Sequence, residues 1–224
     1  MGARPHRLSA RAFIISASVV ASLVAGTVAL PAATGGASAE GTRRTVLILG
    51  DSVLSVLRWA PESNKPMWSA GYDPVNETWG CQSLLGKGCP GSGGRSALER
   101  FRDHRADEID IVVVGTGYND VGDQTLRDGI RAIAAEARVQ GIPVIWLTYH
   151  ERSVSTRRSR THNAVLRATA PRHDNITVVD WNKYARRHSS WFSHEGVHMN
   201  RLGGRKLGAF IAARLDEHFA AAGG

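Results

Sequence analysis

The sequence has little cysteine, no internal repeat and no acidic residue before Glu40. Cys81 and Cys89 are its two cysteines among 224 residues, which argues against a metal site built from cysteines alone. The pattern Gly115-Thr116-Gly117 lacks the third glycine of a dinucleotide-binding fingerprint, and Asp120 beside it would repel a phosphate. A dinucleotide cofactor is therefore excluded.

The acid-free amino terminus is organised like an export signal. Arg4, Arg7 and Arg11 precede an apolar run over residues 13–30, and residues 37–39 are Ala-Ser-Ala, an A-x-A cleavage pattern. We predict a secretory signal peptide over residues 1–39, a secreted or cell-wall-associated protein, and no stable membrane insertion after cleavage. Because the apolar run is nearly long enough to span a bilayer, retention as an uncleaved anchor is the alternative.

Residues 40–224 provide enough chain for one domain with a full-sized core, which we expect to act as a monomer. Without the three arginines of the leader, the 28 basic residues fall to 25, against 20 acidic residues. Two basic clusters lie at 157–160 and 186–188. They are interpreted either as solvated surface or as attraction to an anionic cell surface or polymer, and export argues against a nucleic-acid partner.

In an exported protein, Cys81 and Cys89 are expected to pair as a disulfide, because extracellular compartments are oxidising. The bridge would close a glycine-rich loop and stabilise the fold by about 2 to 3 kcal/mol, through the entropy lost by the unfolded chain. This expectation depends on export and not on the spacing of the two cysteines.

Short β-rich runs alternate with helical patterns along the chain, which indicates a parallel sheet covered by helices on both faces. The predicted strands are Thr45–Leu49, Pro74–Thr78, Ile109–Val114, Pro143–Thr148 and Ile176–Val179. The predicted helices cover residues 53–60, 95–104, 124–140, 156–169 and 201–219. The predicted fold class is therefore α/β, a three-layer α/β/α sandwich around a central, mostly parallel five-stranded sheet.

Three polar clusters are placed by this pattern at one edge of the sheet. Gly50-Asp51-Ser52 follows the first strand, Gly117-Tyr118-Asn119-Asp120 follows the third, and Ser193–Asn200 precedes the last helix. Parallel sheets bind their ligands beyond the carboxyl ends of the strands. We therefore expect the three clusters to converge on one site.

The stretch Ser193–Asn200 contains His194-Glu195-x-x-His198, the spacing with which two histidines on a helix bind zinc. Glu217 would be the third ligand of such a site. Against zinc, Gly196 lies inside the required helix, and serine and glycine pairs on both sides are typical of a loop. Zinc would also leave Ser52 and Asn119 without a role.

A serine hydrolase uses all three clusters. Ser52, at a strand-to-helix turn, would be the nucleophile, and His198 would accept its proton. Glu195 would orient the imidazole, and the Asn119 amide would donate to a developing oxyanion. Each motif alone has a plainer explanation, since Asp and Ser cap helices and Gly, Asn and Asp form turns. We favour the serine interpretation because it accounts for all of them together.

These motifs resemble those of the SGNH, or GDSL-type, serine hydrolase family over nearly all of residues 43–219. Ser52 stands in the family's first block, and residues 117–120 match its G-x-N-D block at every position. Residues 195–198 match the D-x-x-H block with Glu195 in place of aspartate, and Asp180 is a distant substitute for the acid. The resemblance extends to secreted actinobacterial-type members at residues 179–181 and 191–192.

The family's second block supplies a glycine N–H to the oxyanion hole, and here the match is weaker. We assign Gly80 to this position, with Cys81 or Gly94 as alternatives. The oxyanion hole implied by the resemblance therefore consists of the Ser52 and Gly80 N–H groups and the Asn119 side chain.

The resemblance implies an SGNH/flavodoxin-like fold and an ester hydrolase or transacylase that works through an acyl-serine intermediate, with no metal or organic cofactor. Its partner would be an ester substrate, such as acylated carbohydrate or cell-wall glycan. The irregular insert Trp59–Trp79 is aromatic and is expected to pack over the core edge more than to bind sugar. The rival hypothesis is a non-catalytic wall-binding or accessory module on the same fold.

Overall fold

The computed structural model describes residues 43–89 and 93–223. The predicted signal peptide over residues 1–39 lies outside the described residues. Within the two described ranges, every helix is too short or too polar to cross a membrane.

The central sheet has five parallel strands in the order β2-β1-β3-β4-β5. Their bounds are β1 Arg44–Gly50, β2 Tyr72–Thr78, β3 Ile111–Gly115, β4 Val144–Leu147 and β5 Ile176–Val179. Each predicted strand is confirmed, and the weakest, near residues 74–78, pairs with β1 along seven residues. It was a weak signal because β2 is an edge strand whose middle is only partly buried, so its residues need not be apolar.

Seven α-helices and three 3₁₀ turns connect and follow the strands in the described ranges. The helices are α1 Val56–Trp59, α2 Lys65–Ser69, α3 Ala97–Asp103, α4 Asp123–Gln140, α5 Thr156–Thr169, α6 Trp181–Ala185 and α7 Arg201–Ala222. The 3₁₀ turns are Pro61–Asn64, Ala170–Arg172 and Ser189–Trp191. Helices α3, α4 and α5 pack together, and α1 and α2 pack against α7. The sheet lies between these two groups, which confirms the three-layer α/β fold.

Two helical segments differ from the sequence prediction. The insert over residues 59–79 is partly helical, because Pro61 and Pro66 each lie in a first helical turn, where proline is tolerated. The short helix α6 was not predicted. Its N-cap is Asp180, whose side chain accepts a hydrogen bond from the backbone N–H of Lys183 at 2.9 Å.

The core is formed by the strands and the apolar faces of the helices. All residues of β3 and β4 are buried, as expected of strands covered on both faces. Helix α4 buries Leu126, Ile130, Ile133 and Ala137 on one face and ends at Gly141 in the left-handed conformation. The amphipathic pattern seen in the sequence is thus the buried face of this helix.

Helix α7 approaches the 61–64 turn so closely that only glycine fits at the two helix positions that face Ser63. A Cβ on Gly208 would lie 2.0 Å from the carbonyl oxygen of Ser63, and one on Gly204 would lie 2.4 Å from the Ser63 hydroxyl. This contact fixes α7 against the elements that follow the first strand. It also fixes where the loop before α7 ends.

We predict that Gly208→Ala destabilises the protein, although alanine normally favours a helix by about 1 kcal/mol over glycine. The added methyl group would meet a backbone carbonyl, and such overpacking costs about 1 to 3 kcal/mol. Urea unfolding measures the difference, with Arg205→Ala on the exposed side of the same helix as the control. A Gly208→Ala protein as stable as the wild type would contradict the close approach.

Candidate active site

The sheet register brings the predicted loops side by side. Gly50 at the end of β1 is the register partner of Thr78 in β2 and of Gly115 in β3. The three strands therefore end at the same edge of the sheet. Just beyond this edge, the Trp79 N–H donates to the Gly50 carbonyl at 2.9 Å. The residues that follow each strand are neighbours because of this alignment.

Ser52 lies in a tight turn that leads into α1. The Asp51 carbonyl accepts from Leu54 N–H at 3.2 Å and from Ser55 N–H at 3.1 Å, so the chain winds into a helical turn directly after the strand. The Ser55 hydroxyl donates to the Ser52 carbonyl at 2.7 Å. These bonds hold the Ser52 side chain at the rim, where it is partly exposed.

The side chain of Asp51 connects this turn to the loop after β3. Its carboxylate is fully buried and accepts from the backbone N–H of Val53 at 2.9 Å, of Tyr118 at 3.1 Å and of Gly117 at 3.3 Å. Burial raises the pKa of Asp51 to about 7, the three hydrogen bonds oppose this rise, and the nearby Asp120 carboxylate adds to it. The ionised form of Asp51 suits this place because an ionised carboxylate only accepts hydrogen bonds.

The loop before α7 brings the predicted imidazole to the serine. The Nε2 atom of His198 lies 3.0 Å from the Ser52 hydroxyl oxygen, and its Nδ1 atom lies 2.5 Å from Glu195 Oε1. Hydrogen bonds from Ser193, from the backbone and from His198 lower the pKa of Glu195 to about 2. Glu195 is therefore ionised at neutral pH, so Nδ1 carries the ring proton and Nε2 is free to accept one.

Contacts with the loop after β4 hold this segment in position. Gly196 has a φ of +70°, and a Cβ there would lie 2.6 Å from the Arg152 carbonyl oxygen. The Glu195 carbonyl accepts from Val154 N–H at 3.0 Å. The buried ring of His150 stacks on Phe192 at 4.0 Å and places Nδ1 3.0 Å from the Gly196 carbonyl oxygen. This role of His150 was not predicted, because no local pattern in the sequence marks a contact 46 residues away.

The zinc alternative conflicts with this geometry. Residues 194–198 form a turn and bend, not a helix, so the two histidines do not share a helix face. The side chain of His194 is 99% exposed, while both ring nitrogens of His198 contact Ser52 and Glu195. Among residues 43–89 and 93–223, no three His, Cys, Asp or Glu side chains cluster as metal ligands.

Asn119 lies beside the residues that follow β2. Its side-chain N–H₂ donates to the Gln82 carbonyl at 3.0 Å, and the Thr116 hydroxyl donates to the same oxygen at 3.1 Å. The buried Gln82 side chain in turn donates to the Gly50 carbonyl at 3.0 Å. Gln82 thus connects the ends of β1 and β3 to the loop after β2, a role that its sequence context does not predict.

Gly80 lies two residues after the end of β2, in the loop where the oxyanion-hole glycine was predicted. Within the described part of the chain, neither its backbone N–H nor that of Ser52 has a protein acceptor. One hydrogen of the Asn119 amide is also left over after its bond to Gln82. The loop edge therefore presents donors from each of the three predicted oxyanion residues.

Two further predictions concern the surroundings of these loops. Cys81 and Cys89 form the expected disulfide, with Cα atoms 5.3 Å apart. Asp180, considered as a substitute acid, instead caps α6 and accepts from the Thr148 hydroxyl at 2.9 Å and from Arg167 at 3.0 Å. Glu195 is thus the acid that contacts the histidine.

The left-handed turn at Gly196 generates a prediction. Gly196→Ala should lower the free energy of unfolding by about 2 kcal/mol, because a side chain in this conformation is strained and its Cβ would meet a backbone oxygen. Gly86→Ala is the matched control, since Gly86 is exposed and a Cβ there meets nothing within 4 Å. Equal denaturation midpoints for the two variants would show that the loop does not require glycine.

The lowered pKa of Glu195 predicts a pH dependence of stability. A carboxyl whose pKa falls on folding stabilises the protein above its unfolded-state pKa near 4.5, and this contribution is lost as the pH falls towards about 2. Glu195→Gln removes the contribution. The stability gap between wild type and variant, measured by urea unfolding, should therefore be larger at pH 6 than at pH 3. A gap that does not change with pH would contradict the assigned hydrogen bonds.

Comparisons with known proteins agree with this architecture. A model of the GDSL-like lipase/acylhydrolase family matches residues 48–206. A GDSL-like lipase from Bacteroides thetaiotaomicron VPI-5482 is 18% identical with a TM-score of 0.60, over 78% of this chain and 89% of the other. The C-terminal catalytic domain of Streptococcus pneumoniae peptidoglycan O-acetyltransferase A is 21% identical with a TM-score of 0.54, over 77% and 92%.

A carbohydrate esterase family 3 protein from Talaromyces cellulolyticus is 16% identical with a TM-score of 0.58, over 80% of this chain and 99% of the other. A search of curated proteins finds no match. At these identities the solved structures show a shared fold, whereas the family model spans more than half of the chain and includes Ser52, Asn119 and His198. The expected ester-hydrolase class is thereby confirmed, and the chain belongs to the GDSL-like lipase/acylhydrolase family.

Proposed function

We propose that the chain is an exported serine esterase that hydrolyses or transfers short acyl esters through an acyl intermediate on Ser52. The observation that carries this proposal is the contact of Ser52, His198 and Glu195, with 3.0 Å between hydroxyl and Nε2 and 2.5 Å between Nδ1 and carboxylate. Both distances lie within hydrogen-bond reach, as a nucleophile, its base and the orienting acid require.

In the first half of the proposed reaction, the Ser52 oxygen attacks the ester carbonyl carbon while its proton moves to Nε2 of His198. The imidazolium that forms is stabilised by the ionised Glu195. When the tetrahedral intermediate collapses, the bond to the alcohol oxygen breaks and the alcohol leaves with the proton from Nε2. The acyl group remains on Ser52.

The oxyanion of the intermediate would be stabilised by the backbone N–H groups of Ser52 and Gly80 and by the Asn119 amide. Their free donors at one loop edge support this assignment. Removal of one such donor costs other enzymes about 3 kcal/mol of transition-state stabilisation. The hydrogen bonds of Asp51 and Gln82 would keep the loops in register before substrate binds.

In the second half, His198 takes a proton from a water molecule or from a second alcohol, whose oxygen attacks the acyl-serine. Ser52 leaves with the proton, and the product is a free acid or a new ester. The His198 side chain is 51% exposed, so the site is open to bulky alcohols as well as water. The acceptor thus decides between hydrolysis and transfer.

Acetyl groups on carbohydrate or cell-wall glycan are the substrates that we propose. Structures of similar fold include a peptidoglycan O-acetyltransferase domain and a carbohydrate esterase. An exported protein would meet such glycans outside the cell, and the proposed export rests on the leader over residues 1–39 and agrees with the Cys81–Cys89 disulfide. Kinship with secreted actinobacterial-type members belongs to the same proposal.

We predict that Ser52→Ala lowers kcat for p-nitrophenyl acetate by about 1,000-fold or more, because the nucleophile is lost. Ser69→Ala, an exposed serine at the end of α2, is the control and should retain wild-type kcat. Chelators should leave the wild-type activity unchanged, in contrast to a zinc enzyme. Full activity of Ser52→Ala would refute the serine mechanism, and an inactive wild type would favour the non-catalytic module.

A further inference from the structure

The proposed reaction leaves the basic clusters of the sequence without a role. Arg186 and Arg187 follow α6, and Arg152 follows β4, so these three exposed arginines lie at the same edge of the sheet as Ser52. Hydrogen bonds connect the two segments: Glu151 N–H donates to the Asn182 side chain, and Asn182 N–H donates to the Thr148 hydroxyl, each at 2.9 Å. The fold thus joins arginines that are over 30 residues apart in the sequence.

Arg152, Arg186 and Arg187 line a set of neighbouring depressions, which we call the arginine groove. They border a cavity of about 730 Å³ and an adjoining one of about 410 Å³. Arg186 and Arg187 also border a third, of about 740 Å³, which Tyr184 and Phe210 line as well. A groove of this size holds several sugar rings and not just a single ion.

The three arginines are not paired with the carboxylates that share this groove, Glu195, Asp180 and Glu151. In the described residues, the three guanidinium groups make no ion pair, whereas the nearby carboxylates are engaged elsewhere. Glu195 contacts His198, Asp180 pairs with Arg167, and Glu151 pairs with Arg160. Unpaired guanidinium groups recognise carboxylates and phosphates in bidentate fashion, so the groove fits an anion.

The groove adjoins the candidate active site. The loop of His194, Glu195 and Gly196 lines the cavity next to Arg152, and the same loop brings His198 to Ser52. A polymer bound along the arginines would therefore lie beside the catalytic loop. At its far end, Tyr184 is 42% exposed and offers an aromatic face for a sugar ring.

We propose that the arginine groove binds the anionic groups of an acylated acidic polysaccharide and holds its esters near Ser52. This inference rests on the proposed esterase function and narrows its substrate class. A nucleic acid would meet the same charges, but it carries no acyl ester for the neighbouring site, so an acidic glycan is the better match.

The test compares kcat/KM for O-acetylated polygalacturonate with that for soluble acetylated glucomannan, an uncharged polysaccharide. The double variant Arg186→Glu/Arg187→Glu should lower the acidic-to-neutral ratio by about 10-fold or more, since a like charge repels the polyanion. In 1 M NaCl, the acidic-to-neutral ratio of kcat/KM for the wild type should fall towards the value of the variant, because charges are then screened within about 3 Å.

Arg138→Glu/Arg172→Glu is the matched control. It changes the net charge equally, but Arg138 lies in the last turn of α4 and Arg172 just after α5, at the opposite edge of the sheet. This control should keep the wild-type ratio. An equal loss in both double variants, or no loss in Arg186→Glu/Arg187→Glu, would overturn the proposal.

Binding measurements test the groove independently of ester hydrolysis. Titration calorimetry of the Ser52→Ala protein should show that it binds unacetylated polygalacturonate. Adding Arg186→Glu/Arg187→Glu to this protein should weaken the affinity by about 10-fold. Unchanged binding, or tighter binding of a single-stranded DNA oligonucleotide than of polygalacturonate, would refute the groove as a glycan site. A wild type inactive on p-nitrophenyl acetate would instead refute the esterase function, so the two failures are distinguishable.

Discussion

The buried carboxylate of Asp51 is the interaction on which the arrangement of this rim depends. It lies at the end of β1 and accepts hydrogen bonds from the backbone on both sides of the site, at Val53 and at Gly117 and Tyr118. A buried N–H group left without an acceptor costs about 1 to 3 kcal/mol. Loss of this carboxylate would therefore leave three donors without an acceptor and detach the Ser52 turn from the loop that carries Asn119.

The imidazole is held by a second and separate set of contacts. The loop before α7 rests on the loop after β4 through the close approach at Gly196 and the hydrogen bonds of Val154 and His150. Helix α7 fixes where this loop ends, through its glycine contacts with Ser63. The Ser52 turn and the His198 loop are thus held by separate sets of contacts, and they meet at one hydrogen bond. This explains how two residues 146 positions apart stay within hydrogen-bond distance.

The sequence allowed the fold and the meeting of Ser52, His198 and Glu195 to be predicted, because strand patterns and short motifs are local signals. The short helix α6 was missed, since its start depends on one capping residue. Asp51 was expected only to cap a helix, and neither Gln82 nor His150 was expected at the site. Their roles arise from partners 32 to 67 residues away, and no local pattern encodes such contacts. Gly80 lies in the expected loop, and its role in the oxyanion hole stays a prediction.

The most direct test of the serine mechanism is to map the residue modified by a reactive phosphonate ester, using mass spectrometry of the digested protein. Our account predicts one adduct per molecule, on Ser52, and a modification rate lowered about 100-fold or more in His198→Ala, because the hydroxyl then lacks its base. An adduct on another residue, or a rate independent of His198, would contradict it.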